Sequence, residues 1–506
     1  MTAYKNRVKK YIGYALLIIS VLAIVSMARY TMTDDIWYDE VFSVGFIEHG
    51  FKDIALLTAR DVHPPFYYFY LKVMAGIISF FGPSTVTAAK LASILPWLGI
   101  FCVSVTYIKK QFGEFTMGLF MLLVTCMPQI GNYYVEIRMY SLALLMITAA
   151  GLCADSIIRN GGAAYKWLLI FVLGILTAYT QYYACIGIVG IYAALTGLIF
   201  LKKGLRNKSN IGGLLSCMLG SVIAYIPWLP KLYGQATTIN GNYWIQPLTL
   251  RSLAGCVKFL VLPVSMDGKI CYIAAALVIM ATAIGIVLFI KDKSYKEDVN
   301  LAVIGLLPLI MVILSGFILS AMGTPIFVYR YMIPVIGLCW LVVARIVDRV
   351  TDKRVWPLVL LIPYLLCALL THRGFCQEEG KKVENMPKVV EALSEIEEDA
   401  VIIANFDHVA SILGYYMDEQ DVYLYEGDID ALIPDMFDGA GTYISREDVA
   451  KLVKEENKVY FAGSFNSRED ILADWETMGV KGEEQSSVLC ERYWFNIYRL
   501  ENQNED

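Results

Sequence analysis

The chain has 506 residues, of which 57% are hydrophobic and only 18% are charged, and its mean hydropathy is +0.54. Soluble domains usually carry about a quarter charged residues, so this composition excludes a disordered, a collagen-like and a purely soluble protein. Residues 1–372 hold 30 Lys and Arg against 16 Asp and Glu, whereas residues 373–506 hold 12 against 31. The sequence therefore predicts an apolar, basic membrane domain over 1–372 and an acidic soluble domain over 373–506, with no surface basic enough to bind nucleic acid.

Eleven apolar runs are predicted to cross the lipid bilayer. The first follows the basic stretch KNRVKK and has no small-residue cleavage site, which favours an uncleaved span with a cytoplasmic N-terminus. The predicted spans are Tyr11–Tyr30, Val86–Ile108, Phe115–Gly131, Met139–Ile158, Trp167–Tyr182, Ala184–Leu201, Gly212–Trp228, Ile270–Ile290, Leu301–Ser320, Val328–Val347 and Trp356–Leu370. Together they define a multi-pass, helical protein of the cell membrane.

A further apolar segment, Pro65–Phe81, is long enough to span, and the basic loops decide against it. If this segment stays outside, every later cluster of Lys and Arg, from Lys109 to Arg354, falls in the cytoplasm. If it spans, all of them move outside, against the positive-inside rule. We therefore predict a helix along the outer membrane surface, within a first outside loop of residues 31–85. Eleven spans also place the C-terminal domain outside.

The acidic C-terminal region alternates short apolar strands with amphipathic helices. The predicted strands are Ala400–Ala404, Asp421–Tyr425, Lys458–Ala462 and Glu491–Leu500. The predicted helices are Pro387–Ile396, Val409–Met417, Arg446–Glu456 and Asp470–Gly479. This alternation is typical of a small α/β domain.

Acidic residues of the membrane domain concentrate in the first outside loop. Seven of the 16 lie there, namely Asp34, Asp35, Asp39, Glu40, Glu48, Asp53 and Asp61. Placing a carboxylate next to a bilayer costs free energy unless it is solvated, is paired with a cation or takes part in the protein's function. Asp34, Asp35 and Asp53 fit helix capping. Asp39 and Glu40 follow an interfacial Trp-Tyr pair and stand among apolar residues, so we predict a functional role for them.

Other polar signals fall at the same predicted outer face. They are His63-Pro64-Pro65, the stretch Glu136-Ile137-Arg138-Met139-Tyr140, the pair Arg330-Tyr331, and the aromatic stretches Thr180–Tyr183, Tyr225–Trp228 and Tyr243–Trp244. A histidine before a helix could donate to a phosphate or bind a metal, and an arginine could clamp a phosphoryl group. A surface histidine, an interfacial arginine anchor and an aromatic belt are the ordinary alternatives.

Taken together, these groups suit a negatively charged, lipid-tethered phosphosugar. Arginines would stabilise the phosphate as it leaves the anomeric carbon, and a carboxylate would take the proton from an incoming hydroxyl. Aromatic and amide groups would hold the sugar. Because a phosphate ester is already an activated leaving group, no general acid of the kind that glycosidases use is needed.

At these residues the chain resembles the GT-C superfamily of polyprenyl-phosphate-sugar glycosyltransferases, and most of all glycosyltransferase family 39, the protein O-mannosyltransferase and aminoarabinose transferase type. The resemblance covers roughly residues 10–350. It depends on the Asp-Glu pair after the first span, D-x-H-P-P before the surface helix, E-x-R-x-Y after the third span, Y-x-P-W after the seventh, and R-Y before a later one. Each motif is short, and their order and side make the pattern specific.

The resemblance implies an inverting transfer of a sugar from an undecaprenyl-type phosphate carrier to an acceptor outside the membrane. Asp39 would be the general base and Glu40 its acceptor-binding neighbour. Arg138 would contact the donor phosphate and Glu136 would orient it. The other substrate-binding residues implied are His63, Tyr140, Gln181, Tyr182, Arg330 and Tyr331. Gln181 stands where a histidine is common, so the resemblance neither requires nor excludes a divalent metal. The acceptor, whether protein, lipid or cell-envelope glycan, is not specified.

Two other classes of protein compete with a transferase. A transporter or flippase for lipid-linked sugars would need polar or broken helices near the middle of the membrane, whereas the ionisable residues here fall at predicted helix ends. A non-catalytic scaffold gives no reason for the carboxylate-rich first loop. The sequence therefore favours the transferase.

Overall fold

The computed structural model describes residues 2–238, 245–261, 298–353, 361–417, 420–437, 440–456 and 458–503, with isolated positions between 273 and 287. By their internal contacts these residues form two compact units. Unit 1 contains Met1–Arg29, Val62–Tyr67 and Leu91–Cys376, and unit 2 contains Tyr30–Asp61, Tyr68–Lys90 and Gln377–Asp506. Most of the predicted first outside loop therefore folds with the acidic C-terminal residues.

Helices dominate the first 394 residues. They are α1 (Thr2–Ala28), α2 (Tyr38–Glu48), α3 (Phe51–Thr58), α4 (Phe66–Ser79), α5 (Thr85–Val103), α6 (Lys109–Phe112), α7 (Glu114–Thr125), α8 (Asn132–Val135), α9 (Tyr140–Asn160), α10 (Ala164–Ala178), α11 (Tyr182–Leu201), α12 (Lys208–Tyr225), α13 (Leu229–Thr238), α14 (Leu250–Val261), α15 (Asp298–Met322), α16 (Ile333–Lys353) and α17 (Leu361–Ser394). A π-helical turn, Ser104–Ile108, joins α5 to α6.

Within the described residues, seven helical segments are long and apolar enough to cross a membrane. They are Asn6–Thr31, Thr85–Phe112, Tyr140–Asn160, Tyr182–Leu201, Lys208–Thr237, Asp298–Met322 and Tyr329–Thr351. Each coincides with a predicted span, which confirms a polytopic helical membrane protein. The predicted spans beginning at Phe115 and Trp167 form shorter apolar helices of 12 and 15 residues. The span Ile270–Ile290 lies largely outside the described residues, and Trp356–Leu370 lies partly outside them.

Small residues let helices of unit 1 approach each other closely. At Gly13 of α1 and Gly118 of α7 an added Cβ would collide with the backbone of the opposite helix, at Glu114 and at Gly13 respectively. In a membrane, where lipid tails remove the hydrophobic drive for helix association, such close backbone packing is a main source of attraction. The two glycines therefore fix α1 against α7.

Buried ion pairs gather at one end of unit 1. Asp298 accepts hydrogen bonds from Arg345 Nε at 3.0 Å and from Arg349 Nε at 2.7 Å. Arg159 Nε donates to Asp155 at 2.8 Å, and its Nη2 lies 3.8 Å from Asp298. Since α9 and α16 end here and α15 begins here, opposite charges compensate each other where these helix ends meet.

Asp348 extends the same network to the N-terminus of the chain. Its carboxylate accepts from Arg345 Nη1 and from the Thr116 hydroxyl, both at 2.9 Å, and pairs with Lys9. The positive-inside rule assigns Lys9 and Arg349 to the cytoplasmic side, and the structure places them at one end of unit 1.

Tyr140, the first residue of α9, lies at the opposite end of unit 1. This helix has 21 residues, which at 1.5 Å per residue is about 30 Å, the thickness of a bilayer's hydrocarbon core. The charged network and the residues around Tyr140 are thus separated by about one membrane thickness.

Unit 2 contains a six-stranded mixed sheet in the order β3-β2-β1-β4-β6-β5. Its strands are β1 (Val401–Ala404), β2 (Asp421–Tyr425), β3 (Ala440–Ile444), β4 (Val459–Gly463), β5 (Val480–Cys490) and β6 (Tyr493–Asn502). Strands β1 to β4 pair in parallel, whereas β6 runs antiparallel to β4 and β5. The helices between them are α18 (Asp407–Tyr416), α19 (Ile433–Met436), α20 (Arg446–Glu455) and α21 (Ser467–Glu476). The predicted small α/β domain is confirmed.

An aromatic cluster fills the core of this sheet. The Trp475 ring packs edge-on against Tyr425 and Phe461, with centroids 5.0 and 4.9 Å apart, and Trp475 and Phe461 are fully buried. Aromatic side chains bury about 150–250 Å² each, so this group contributes strongly to the stability of the domain.

Unit 2 also contains paired charged side chains, one pair beside the first loop and others among the C-terminal residues. Lys90 Nζ donates to Asp35 at 2.8 Å, and both side chains are 4% exposed. Glu491, at the turn between β5 and β6, pairs with Lys382 of α17 at 2.8 Å, and Lys382 also pairs with Glu379 at 2.8 Å. The side chain of Glu491 also hydrogen-bonds Asp35, and this bond and the Lys90–Asp35 ion pair fix the start of the loop that carries Asp39 and Glu40.

Two carboxyl groups of this set, those of Asp35 and Glu491, differ in pKa. Burial raises the pKa of Asp35, but the charge of Lys90 and the hydrogen bonds that Asp35 accepts outweigh it and lower the pKa. Burial raises the pKa of Glu491 well above its usual value, in spite of Lys382. Since folding lowers the pKa of Asp35, its stabilising contribution is present above the ordinary carboxyl pKa and is lost as the pH falls through the lowered value.

Removing the charge of Asp35 should destabilise the protein much more than removing that of Glu491. Asp35→Asn leaves Lys90 buried without its carboxylate, and we expect a loss of about 3–5 kcal/mol. Glu491→Gln mimics the protonated acid and leaves Glu379 beside Lys382, so we expect about 1 kcal/mol or less. Denaturant titration of both variants in detergent measures the difference. Equal losses would contradict this account of the pair.

Candidate functional site

In unit 1, Arg138 lies in the stretch that follows the third predicted span, close to His63 from the first predicted outside loop. Helix α8 ends at Val135, and the Arg138 amide donates to the Glu136 carbonyl at 2.7 Å in a tight turn before α9. Arg138 Nη2 lies 3.4 Å from His63 Nε2, and both side chains are buried, 5% and 9% exposed. The structure thus joins a guanidinium and an imidazole that are 75 residues apart in the chain.

The turn before Arg138 is held by a buried tyrosine. The Tyr134 ring stacks on Trp97 with centroids 4.0 Å apart and planes 7° apart. Its hydroxyl donates to the Thr125 carbonyl at 3.0 Å, so its polar end is satisfied. This anchor fixes α8, and with it the direction in which the chain enters α9.

Arg330 joins the same group. It lies in a 3-10 turn, Tyr329–Met332, that precedes α16. Arg330, Arg138 and Glu136 all act electrostatically on the hydroxyl of Tyr140, which is 1% exposed. Two guanidiniums therefore face one carboxylate in this group, which leaves an excess of positive charge.

Stacking brings Tyr331 to the start of α11. Its ring lies parallel to that of Tyr183, with centroids 4.7 Å apart and planes 19° apart. The adjacent Tyr182 accepts a hydrogen bond from Trp228 Nε1 at 3.0 Å and donates to the side-chain oxygen of Gln235. The aromatic stretches predicted from the sequence thus meet in one layer, apart from Tyr243–Trp244, which lie outside the described residues.

Gln181 is the N-cap of α11. Its side-chain oxygen accepts a hydrogen bond from the Ala184 amide at 2.9 Å, and the residue is 3% exposed. Such a bond satisfies one of the donors that a helix start leaves unpaired. The glutamine at this position therefore has a structural role.

The two prolines after His63 lead directly into a docked helix. Helix α4 begins at Phe66, whose amide donates to the Tyr179 carbonyl at 2.9 Å. Phe66 lies three residues after His63, and Tyr179 lies two residues before Gln181. This bond therefore holds His63 and the start of α11 in the same part of unit 1. The predicted segment 65–81 is helical over Phe66–Ser79, and its position along the outer membrane surface stays a prediction.

Asp39 and Glu40 lie in unit 2, in the first turn of α2. The Glu40 carboxylate accepts a hydrogen bond from the Trp37 amide at 3.2 Å, and Glu40 is 2% exposed. Glu40 therefore caps its own helix. Asp39 is half-buried, and it acts electrostatically on Tyr38, His408 and Tyr493.

His408 is a neighbour of Asp39 that the sequence analysis did not single out. It follows the carboxyl end of β1, where polar residues of parallel sheets often form binding sites. That position, and its being one of only four histidines in the chain, were the available signals. Among the described residues, no group of three or more His, Cys, Asp or Glu side chains is arranged to hold a metal ion.

The membrane helices of unit 1 and the mixed sheet of unit 2 define a polytopic membrane protein with a C-terminal α/β domain. Comparison with solved structures finds a protein of similar fold. The chain is similar to ArnT from Cupriavidus metallidurans in the apo state, with a TM-score of 0.56 and 12% identity over 97% of this chain and 98% of ArnT.

The same likeness holds for a second state of that protein. ArnT from Cupriavidus metallidurans bound to undecaprenyl phosphate matches with a TM-score of 0.58 and 11% identity, over 96% of this chain and 97% of ArnT. No protein-family model matches the chain, and no curated protein sequence matches it significantly. At this level of identity the likeness is one of fold.

Proposed function

We propose that this protein is a membrane glycosyltransferase that moves a sugar from a polyprenyl-phosphate donor to an acceptor outside the cytoplasm, with inversion at the anomeric carbon. The observation that carries the proposal is the positively charged group formed by the buried His63 and Arg138 and the half-buried Arg330 in unit 1. Guanidiniums are suited to bind phosphate, because their donors match its oxygens in a fork. The solved structure of ArnT with undecaprenyl phosphate supports a lipid-phosphate ligand for this fold.

In the proposed reaction, Arg138 and Arg330 bind the phosphate of the donor and stabilise its charge as the bond to the anomeric carbon breaks. His63 lies 3.4 Å from Arg138 Nη2 and holds that guanidinium in place. Tyr182 and Tyr331, in the aromatic layer, would hold the sugar ring. The leaving group is a lipid phosphate, which needs no proton from the protein.

Asp39 is the proposed general base. It would take the proton of the acceptor hydroxyl as the new glycosidic bond forms, and a single displacement inverts the anomeric centre. Glu40 caps α2 and thereby fixes the helix turn from which Asp39 projects. This assigns Glu40 a supporting role besides the acceptor contact that the family resemblance implies.

A transporter of lipid-linked sugars is less well supported. In the described part of unit 1, the buried ion pairs lie at one end of α9 and the candidate residues lie at the other. Alternating access usually places the substrate site near the midplane, at broken helices.

Purified full-length protein incubated with a panel of polyprenyl-phosphate sugars tests the proposal. We expect free polyprenyl phosphate to be released from at least one of them in the presence of a cell-envelope extract as the acceptor source. Nucleotide sugars are the matched control, since they lack the lipid. Movement of a lipid-linked sugar across vesicle membranes without release of its phosphate would contradict the proposal and favour a flippase.

The proposed orientation makes a separate prediction. Lys451 of α20 and Lys203, between α11 and α12, are both exposed, and the charge rule places them on opposite sides of the membrane. A membrane-impermeant maleimide should label Lys451→Cys in intact cells and Lys203→Cys only after lysis, each above the background of the native cysteines. The reverse pattern would place the C-terminal domain in the cytoplasm.

A further inference from the structure

His408 occupies an unusually specific place in unit 2. Its imidazole stacks on the Tyr38 ring with centroids 3.7 Å apart and planes 15° apart. Its Nδ1 lies 2.7 Å from the Tyr493 hydroxyl, and its Nε2 lies 3.9 Å from a carboxylate oxygen of Asp407. Asp39, the residue after Tyr38, acts electrostatically on the same imidazole. A side chain of the C-terminal region is therefore in direct contact with the turn that carries Asp39.

The turn between β5 and β6 also contacts the loop that carries Asp39, and the first residue of β6 contacts His408. Arg492 lies over the Trp37 ring, 4.1 Å from its centroid, and Tyr493 holds His408. In the same turn, Glu491 interacts with Asp35. Three successive residues, the two of the turn and the first of β6, thus contact or support three positions just before Asp39.

We propose that His408 is a positioning residue for the transfer reaction, and that with Tyr493 it fixes the orientation of Asp39. The inference depends on the proposed function, in which Asp39 is the general base. It assigns the C-terminal domain a direct part in building the catalytic turn.

The protonation state of His408 follows from its neighbours. Burial lowers its pKa, and the negative charges of Asp407 and Asp39 oppose that effect without overcoming it. The imidazole is therefore neutral near pH 7. With the proton on Nε2, Nδ1 accepts a hydrogen bond from the Tyr493 hydroxyl at 2.7 Å.

Other charged groups also face this turn. Asp430, Asp407, Asp39 and Asp61 add to burial in raising the pKa of Tyr38. Burial raises the pKa of Tyr493 to about 12, although Arg492 opposes the shift. Both phenols stay protonated at neutral pH, so His408 is the group of this stack whose charge changes as the pH falls.

Titration of the histidines by NMR tests the contact without any substrate. The full-length protein in detergent micelles has only four histidines, and His408→Phe identifies the resonance of His408. We expect its pKa to lie below that of an exposed histidine and to fall further in Asp39→Asn, because a nearby negative charge is removed. Asp53→Asn, in the same loop, should leave it unchanged. An unmoved titration in Asp39→Asn would overturn the proposal whatever the protein's activity.

Kinetics then separate positioning from packing. His408→Phe keeps the ring stack and loses both nitrogens, so we expect kcat to fall roughly 10–100-fold with the KM for a polyprenyl-phosphate sugar unchanged. His408→Gln retains a donor and should recover part of the rate. His49→Ala, at the other end of α2, is the control and should retain full activity. Full activity of His408→Phe would show that the ring only packs.

The two measurements distinguish the failure of this inference from the failure of the proposed function. If no lipid-linked sugar is turned over by the unmodified protein, the proposed function fails and the titration still tests the contact. If turnover is present and His408→Phe retains it, the proposed function stands and the role of His408 is wrong.

Discussion

Asp39→Asn should lower the rate of sugar transfer by roughly 10²–10⁴-fold, the range that general bases contribute. The amide has the size of the carboxylate but cannot accept the proton of the acceptor hydroxyl. The variant should still fold, because α2 is capped by Glu40 and not by Asp39. The rate is measured as release of free polyprenyl phosphate from the donor that the panel identifies.

Asp53→Asn is the matched control for this variant. Asp53 is an exposed carboxylate in the first turn of α3, in the same loop, so its change removes the same charge from the same region. We expect it to retain the transfer rate. Membrane insertion and denaturant titration of both variants check the fold. Turnover by Asp39→Asn at the unmodified rate would remove the assignment of the base.

The sequence predicts the membrane helices well because hydrocarbon imposes a strong requirement on every span. A helix in lipid must satisfy its own backbone and must be apolar over about 20 residues. The segment Tyr182–Leu201 meets both conditions, as does Asp298–Met322. Glu114–Thr125 has only 12 helical residues although its sequence stays apolar to Gly131, because the chain turns at Pro128 before α8. Helix length there depends on a turn that hydropathy does not detect.

The sheet shows where strand patterns fail. Strands β1, β2, β4 and β6 were predicted, since each is rich in apolar or aromatic residues. Strands β3 and β5 were not. Strand β5 contains the polar run Gly482–Ser487 and lies at one edge of the sheet, and β3, with a glycine at 441, lies at the other. Edge strands need fewer apolar side chains, so their alternation is weak.

Local patterns could locate the candidate residues and could not establish their contacts. The motif around Arg138 and the His63-Pro64-Pro65 stretch each pointed to phosphate chemistry, but only the fold brings Nη2 to 3.4 Å from Nε2. His408 was missed because its contact with Tyr38 joins residues 370 positions apart. The cap that Glu40 forms was also missed, because the N-cap residue of α2 is Trp37, which is not one of the residues that usually mark a helix start.

Arg138→Lys should weaken donor use strongly although the positive charge is kept. A guanidinium can hold two phosphate oxygens at once, whereas an ammonium acts as a compact point charge. Loss of one charge-assisted hydrogen bond is worth about 1.5–3 kcal/mol, so we expect kcat/KM for the donor to fall roughly 10–100-fold. The shorter reach of lysine's donors would also remove the contact with His63.

Competition with undecaprenyl phosphate measures whether this loss is one of binding. The affinity of Arg138→Lys for the lipid phosphate should fall together with kcat/KM, since the proposed contact is to the phosphate itself. Arg206→Lys changes an exposed arginine outside the candidate site and should leave both quantities unaltered. If Arg138→Lys binds the lipid phosphate as tightly as the unmodified protein does, Arg138 is an interfacial anchor, and the positive group around Tyr140 loses its proposed ligand.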